Sequence, residues 1–285
     1  MKGWRFVRSW RWTGYLAFVV IFAMACVLLA QWQLARRAEA VYANDKVIAN
    51  YDSSPASLDS TLPGLDSFDD SQEWRQVLLE GSYLADEQLL VRTRPFQGSP
   101  GFEVLVPFKV AGGNLFIVDR GWVPVGSKQD APDSIPAPPS GETHVVVRLK
   151  PSESRVPGRS APPGQVATIE LSDIQKILDK PTYTGAYGLM VSEVPGTADR
   201  PKPFPKPVID EGPHLSYAFQ WIVFGVLAFI ALAWAVRQEY RLINADDPAE
   251  RRRAKERERR VRARGPSDAD IEDAIVDQLS QSQTR

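Results

Sequence analysis

The stretch Pro213-His214-Leu215-Ser216-Tyr217-Ala218-Phe219-Gln220-Trp221 opens an apolar run that continues without a charge to Val236. As a helix, Leu215 to Val236 reaches roughly 33 Å at 1.5 Å per residue, enough to cross a hydrocarbon core of about 30 Å. Thr13 to Gln33 is a second run of the same kind and also lacks Asp, Glu, Lys and Arg. Trp10, Trp12 and Tyr15 mark one interface of that first segment and Trp32 the other; in the second, Tyr217 and Trp221 stand near one end and Trp234 near the other. Two membrane helices therefore frame the chain, and the fold turns on what they enclose.

The formal net charge of -1 conceals a strong asymmetry. Lys2, Arg5, Arg8 and Arg11 precede the first apolar run with no acid among them, and a dense basic series from Arg237 to Arg264 follows the second. Between them, Ala38 to Pro213 carries 16 Lys and Arg against 24 Asp and Glu. Positive flanks stay in the cytoplasm during insertion, so both termini read as cytoplasmic and the acidic middle as extracytoplasmic. Topology accounts for the basic tail, and no nucleic-acid partner is implied. A cleaved signal is the alternative for the first run, since Ala23-Met24-Ala25 precedes Cys26 in the manner of a processing site. Against it, apolar residues continue through Ala30, and Ala23 stands where a lipoprotein signal normally has Leu. Cys26 is the only cysteine, so the central region must hold together without disulfides or a cysteine-based zinc site. With no Arg- and Ser-rich transit peptide before the first helix, a bacterial cytoplasmic membrane is the simpler address.

The chain thus reads as a membrane protein of α+β class, two transmembrane helices flanking a β-rich extracytoplasmic domain with one or two short helices. The expected divisions are a basic N-terminus (1–12), the first transmembrane helix (13–33), a helix extension and acidic linker (34–72), the β-rich domain (73–194), a Pro-rich connector (195–214), the second transmembrane helix (215–236) and a charged, partly disordered tail (237–285). Gln33 to Ile48 lacks Gly and Pro, which predicts that the first helix projects beyond the membrane. Period-two alternation is cleanest at Phe102, Val104, Val106, Phe108 and Val110, and Gly112-Gly113-Asn114 then offers a hairpin turn into a strand from Leu115 to Val123. Further strands are expected around Val77 to Tyr83, Leu89 to Val91, His144 to Leu149, Val166 to Glu170 and Tyr187 to Val194, with a helix from Asp173 stopped by Pro181. The tail after Arg241 reads as a charged helix followed by a disordered acidic end at Asp268 to Asp277.

An enzyme reading lacks parts. There is no extracytoplasmic Cys, only His144 and His214, and no glycine-rich phosphate loop. His144, alternating with Val145 and Val147, reads as a structural residue of a strand. Three clusters remain. Trp32-Gln33 followed by Arg36-Arg37 is either an interfacial aromatic with snorkelling arginines or a ligand-facing group. Arg120-Gly121-Trp122-Val123-Pro124 closes a strand, with Arg120 expected to pair with an acid. His214, Tyr217, Trp221, Phe224 and Gly225 fall toward one helical face, as an aromatic belt or as a ligand site. Ionisable groups at membrane depth are functional candidates, and a neutral imidazole is a common ligand for haem iron. Gly225, Ala228 and Ala231 are small enough to let a second helix approach.

Taken in order, these clusters resemble the surfeit-locus proteins, membrane assembly factors of haem-copper cytochrome c oxidase. The resemblance runs up to about Arg241. It rests on Trp32, Gln33 and Arg36, on Gly81 and Tyr83, on Arg120 to Pro124, and on His214, Leu215, Tyr217, Ala218 and Trp221. Ala30, Ala40 and Gln220 depart from residues frequent in the family, and Ala40 removes a cation that Arg37 can replace. The resemblance implies a non-enzymatic factor that binds haem a transiently, with His214 as iron ligand, and delivers it to oxidase subunit I. Tyr217 and Trp221 would face the ring and Arg36 or Arg37 a propionate, while Trp32, Gln33, Arg120 and Trp122 would face protein partners. Those partners are subunit I, the proteins that make and insert haem a, and a second copy of the chain. The competing reading is a scaffold that binds no haem and stabilises an oxidase intermediate.

Overall fold

A computed structural model describes residues 3–127 and 130–264. It divides into a helical unit, residues 1–37 with 213–285, and a β unit, residues 38–212.

The first helix, α1 (Trp10–Asn50), runs unbroken for 41 residues. No Gly or Pro occurs between Tyr15 and Asn50, so nothing interrupts its hydrogen-bond ladder at the membrane boundary. Its counterpart is α4 (His214–Ile243), which starts directly after Pro213. Both are long and apolar enough to cross a membrane, and only 17% and 6% of their apolar windows are buried within the protein. That distinguishes them from the core helices of a water-soluble domain: their apolar sheath is left for lipid to cover.

Within the helical unit the two helices run antiparallel, with Arg11 paired to Glu239 at one end and Gln33 bonded to His214 at the other. α1 buries Trp12, Val19 and Cys26, seven residues apart, together with Ala30, and α4 buries Ala218 and Gly225, also seven apart. Seven-residue spacing is the signature of a supercoiled seam. A Cβ placed on Gly225 would lie 3.6 Å from the Cys26 Cβ and 4.0 Å from the Ala23 Cα. Gly225 thus sits at the close approach expected of it, whereas Ala231 is exposed and takes no part. The charged tail forms α5 (Pro248–Arg264), and the expected disordered end at Asp268 to Asp277 lies outside the described residues.

The β unit is a closed barrel with additions. Five strands, β2 (Gln76–Tyr83), β6 (Thr143–Pro151), β8 (Ala186–Val194), β5 (Leu115–Pro124) and β4 (Gly101–Val110), are neighbours in that order, and β2 pairs with β4 to close the ring. Closure happens at Gly81, which pairs with Thr143 on one side and Val110 on the other. A Cβ there would stand 2.0 Å from the Lys109 carbonyl oxygen, so only glycine lets three strands meet. Closure removes sheet edges that would otherwise invite aggregation. Alternate residues fill the interior: Val77 and Leu79 from β2, Val104, Val106 and Phe108 from β4, Phe116 and Val118 from β5, and Val145, Val147 and Leu149 from β6.

A smaller apolar layer lies outside the barrel. β3 (Leu89–Val91) pairs with β4, β7 (Gln165–Val166) pairs with β3, and α3 (Leu171–Leu178) covers them through Leu171 and Ile174. The expected strand to Glu170 is therefore cut short. Glu170 instead caps α3, its carboxylate accepting the Asp173 N–H at 2.9 Å, which starts the helix two residues earlier than expected.

The linker before the barrel is ordered rather than extended. A short strand β1 (Ala56–Ser57) pairs with β2, α2 (Leu58–Thr61) follows, and Leu58 and Leu62 are buried in the barrel core. Asn50 ties the end of α1 to this region, donating to the carbonyls of Ser71 and Glu73 at 2.7 and 2.8 Å. The Pro-rich connector is also held, because Trp122 and Lys202 exchange backbone hydrogen bonds of 2.9 and 2.8 Å. Gly121 permits this approach, since a Cβ on it would meet the Lys202 carbonyl oxygen at 2.5 Å.

Candidate functional site

Both halves of the strongest candidate site belong to the helical unit. Pro213 ends the connector, and His214 is the first residue of α4, where its side chain meets Gln33 of α1. The Gln33 Oε1 lies 2.8 Å from the His214 Nδ1. A carbonyl oxygen accepts only from N–H, so that contact holds the proton on Nδ1 and leaves the Nε2 lone pair free. Fixing the tautomer through the far ring nitrogen is the usual way in which a ligating imidazole is oriented. His144 offers nothing comparable: it is exposed on β6, 3.6 Å from Glu80 on the neighbouring strand.

Around His214 the surface is aromatic and cationic. Trp221 is half-buried against α1 and meets Phe224 edge-on at 5.9 Å, while Tyr217 and Trp32 are 46% and 52% exposed. The Arg36 guanidinium stands 5.9 Å from the Trp32 ring centre, and Arg37 follows on the next step of the helix. The expected common face thus splits. His214, Trp221 and Gly225 turn toward α1, but Tyr217 and Phe224 lie about 60–80° round the helix at 100° per residue and face outward. The result is an open, half-apolar surface around one oriented imidazole, not an enclosed pocket.

Arg120 and Trp122 are placed differently from Trp32 and Gln33. Both are buried in the β unit, and neither presents a side chain that a partner can reach. Arg120 pairs with Glu193 at 2.9 Å, donates to the Pro136 carbonyl at 2.8 Å and lies 5.5 Å from the Tyr83 ring centre. Thr197 donates to the same Glu193 carboxylate at 3.2 Å. The Trp122 indole N–H donates to the Arg94 carbonyl at 2.7 Å, and its ring stacks on Phe96. Together they clasp two long loops and the connector onto the open end of β5.

A second buried polar group lies beside this clasp. The Arg94 guanidinium lies between Glu103, at 2.9 Å, and Glu153, at 2.5 Å. Asp119 is fully buried nearby; its Oδ1 accepts the Gly121 N–H at 3.0 Å, and its Oδ2 has no hydrogen-bond partner. Burial raises the Asp119 carboxyl well above its ordinary range, with Glu103 adding to the effect. Burial likewise pushes Glu103 up to about 7 despite the opposing pull of Arg94. Among the described residues, no cluster of His, Cys, Asp and Glu has the makings of a metal centre. Glu103 and Lys109 are the two charged residues of β4, and of the two only Lys109 reaches the surface.

The sequence is 35% identical over 248 residues to uncharacterised SURF1-like proteins of Mycobacterium bovis and of Mycobacterium tuberculosis, a match that covers 81% of this chain and 85% of each relative. The model of the SURF1 family matches residues 20–226. That match begins inside α1 and ends inside α4, enclosing the whole barrel and both halves of the Gln33–His214 pair, and the chain belongs to the SURF1 family.

Proposed function

We propose that this protein holds haem a at the outer ends of α1 and α4, with His214 as iron ligand, and passes it to subunit I of a haem-copper cytochrome c oxidase. The family is broadly one of oxidase assembly factors, which supplies the context. The observation that carries the reading is the Gln33–His214 contact, which engages Nδ1 and so keeps Nε2 as the nitrogen for a metal. Haem a, when bound, supplies an iron that takes a neutral imidazole, a large apolar ring and two anionic propionates. The residues present fit that group: Trp221, Tyr217 and Trp32 offer apolar faces, and Arg36 or Arg37 a charge-assisted partner for a propionate. Trp32 also marks where subunit I docks, and Arg120 and Trp122 support docking by holding the loops of the β unit in shape. The protein acts without catalysis, in a bacterial cell membrane, with the basic flanks inside and the β unit outside.

The test is purification from cells that make haem a, followed by an absorbance spectrum of the wild type, His214→Ala and Gln33→Leu. The His214 variant should emerge colourless, and loss of the orienting Gln33 should weaken haem retention about 10- to 100-fold. Unchanged haem content in His214→Ala would remove the ligand assignment. A colourless wild type that still co-purifies with subunit I would establish the scaffold role instead.

A further inference from the structure

At the opposite end of the helical unit, α1, α4, α5 and the N-terminal turn (Gly3–Arg8) enclose a cavity of about 970 Å³. Its wall changes character along α4. Phe229, Leu232 and Val236 line the part within the apolar span; one step further, Arg237 and Arg241 line the rest, joined by Arg253 and Arg257 of α5. Among the described residues, Glu250 is the one carboxylate in the lining. It is largely occupied by Arg253 at 2.8 Å and approaches Arg257 at 3.8 Å. Arg241 bonds only the neutral Gln238, and Arg237 forms no ion pair among the described residues. The lining therefore retains a positive excess.

Trp12 closes the wall of this cavity and is only 6% exposed.

We propose that this cavity binds an anionic phospholipid, its phosphate between Arg237 and Arg241 and its acyl chains along Leu232 and Phe229. Four considerations favour a lipid over a soluble anion. The cationic and apolar parts lie in the order in which a phospholipid presents headgroup and tail. Their boundary falls at the end of the membrane span. Basic pockets between transmembrane helices on the cytoplasmic side are a recurring site for anionic headgroups. The cavity also adjoins the aromatic cluster of Trp4 stacked on Tyr240 at 4.4 Å, the residue pair expected at headgroup depth. The site is independent of the haem reading, and α5, rich in arginine on every side, thereby acquires a role that membrane insertion alone does not require.

The experiment is native mass spectrometry of the full chain in detergent with phosphatidylglycerol or phosphatidylcholine added at equal concentration. Phosphatidylglycerol should be retained as a single adduct at least 10-fold more than phosphatidylcholine. The double variant Arg237→Gln/Arg241→Gln should lose that preference. Excess inorganic phosphate should not displace the adduct. Equal retention of the two lipids, or an unchanged preference in the arginine variant, would overturn the proposal. Displacement by phosphate alone would assign the site to a soluble anion and overturn it equally. Circular dichroism of the arginine variant separates a lost site from a lost fold.

Discussion

Replacing Arg120 with methionine should destabilise the β unit more than any surface change. The Arg120 side chain is wholly buried, and that of Glu193 is 4% exposed. Removing the guanidinium leaves a carboxylate in the interior with only neutral hydroxyls to serve it, those of Thr197, at 3.2 Å, and Tyr83. Breaking a buried ion pair from one side costs about 3–5 kcal/mol, because the surviving charge has neither water nor partner. For a unit of this size that corresponds to a fall in Tm of about 6–20 °C. Glu193→Gln should cost less, since the guanidinium keeps the Pro136 carbonyl at 2.8 Å. The double variant Arg120→Met/Glu193→Leu should recover much of the loss, an apolar pair of similar volume avoiding the desolvation of two charges. Hydrogen exchange of the full chain in detergent, read on β5 and β8 peptides, gives the opening free energy of the clasp directly. A change below about 1 kcal/mol in Arg120→Met would refute the reasoning, showing that water reaches Glu193 and that the pair is energetically a surface one.

Two further predictions concern the buried carboxylates around Arg94 and the helix seam. Glu103 has its carboxyl raised from 4.5 to about 7, so the folded state holds a proton that the unfolded chain has released. Stability contributed by that proton is complete below pH 4.5 and is lost as pH rises to about 7, a fall of about 3 kcal/mol. Chemical denaturation across that range should show a shallower slope in Glu103→Gln than in the wild type; identical slopes would mean that Arg94 keeps Glu103 ionised throughout. In the helical unit, Gly225→Cys places a second thiol whose Cβ is 3.6 Å from that of Cys26, within the range that a disulfide spans. Because Cys26 is otherwise the only cysteine, mild oxidation should form one intramolecular bridge, lowering the intact mass by about 2 Da. Exclusively intermolecular dimers would show that α1 and α4 pair between copies rather than within one.

The sequence alone determined the frame. Two uncharged runs, their aromatic ends and the basic flanks identify the membrane helices because lipid tolerates almost nothing else. Strict alternation from Phe102 to Val110 identifies strands because a sheet has two faces. Gln33, His214, Trp221 and Gly225 were all legible as candidates, since each is a residue type out of place or out of period in a lipid-facing helix. Tertiary structure decided how they combine. That Gln33 meets His214, rather than a partner, depends on the antiparallel register of two helices 181 residues apart, which no local pattern encodes. Burial of Arg120 was equally invisible, because Glu193 and the Pro136 carbonyl come to it only when β8 closes against β5 and the long loop folds over both. A linear reading sees an arginine and expects a surface, since charges are rarely buried without a partner. Its partner lies 73 residues away, supplied by the parallel pairing of β8 with β5.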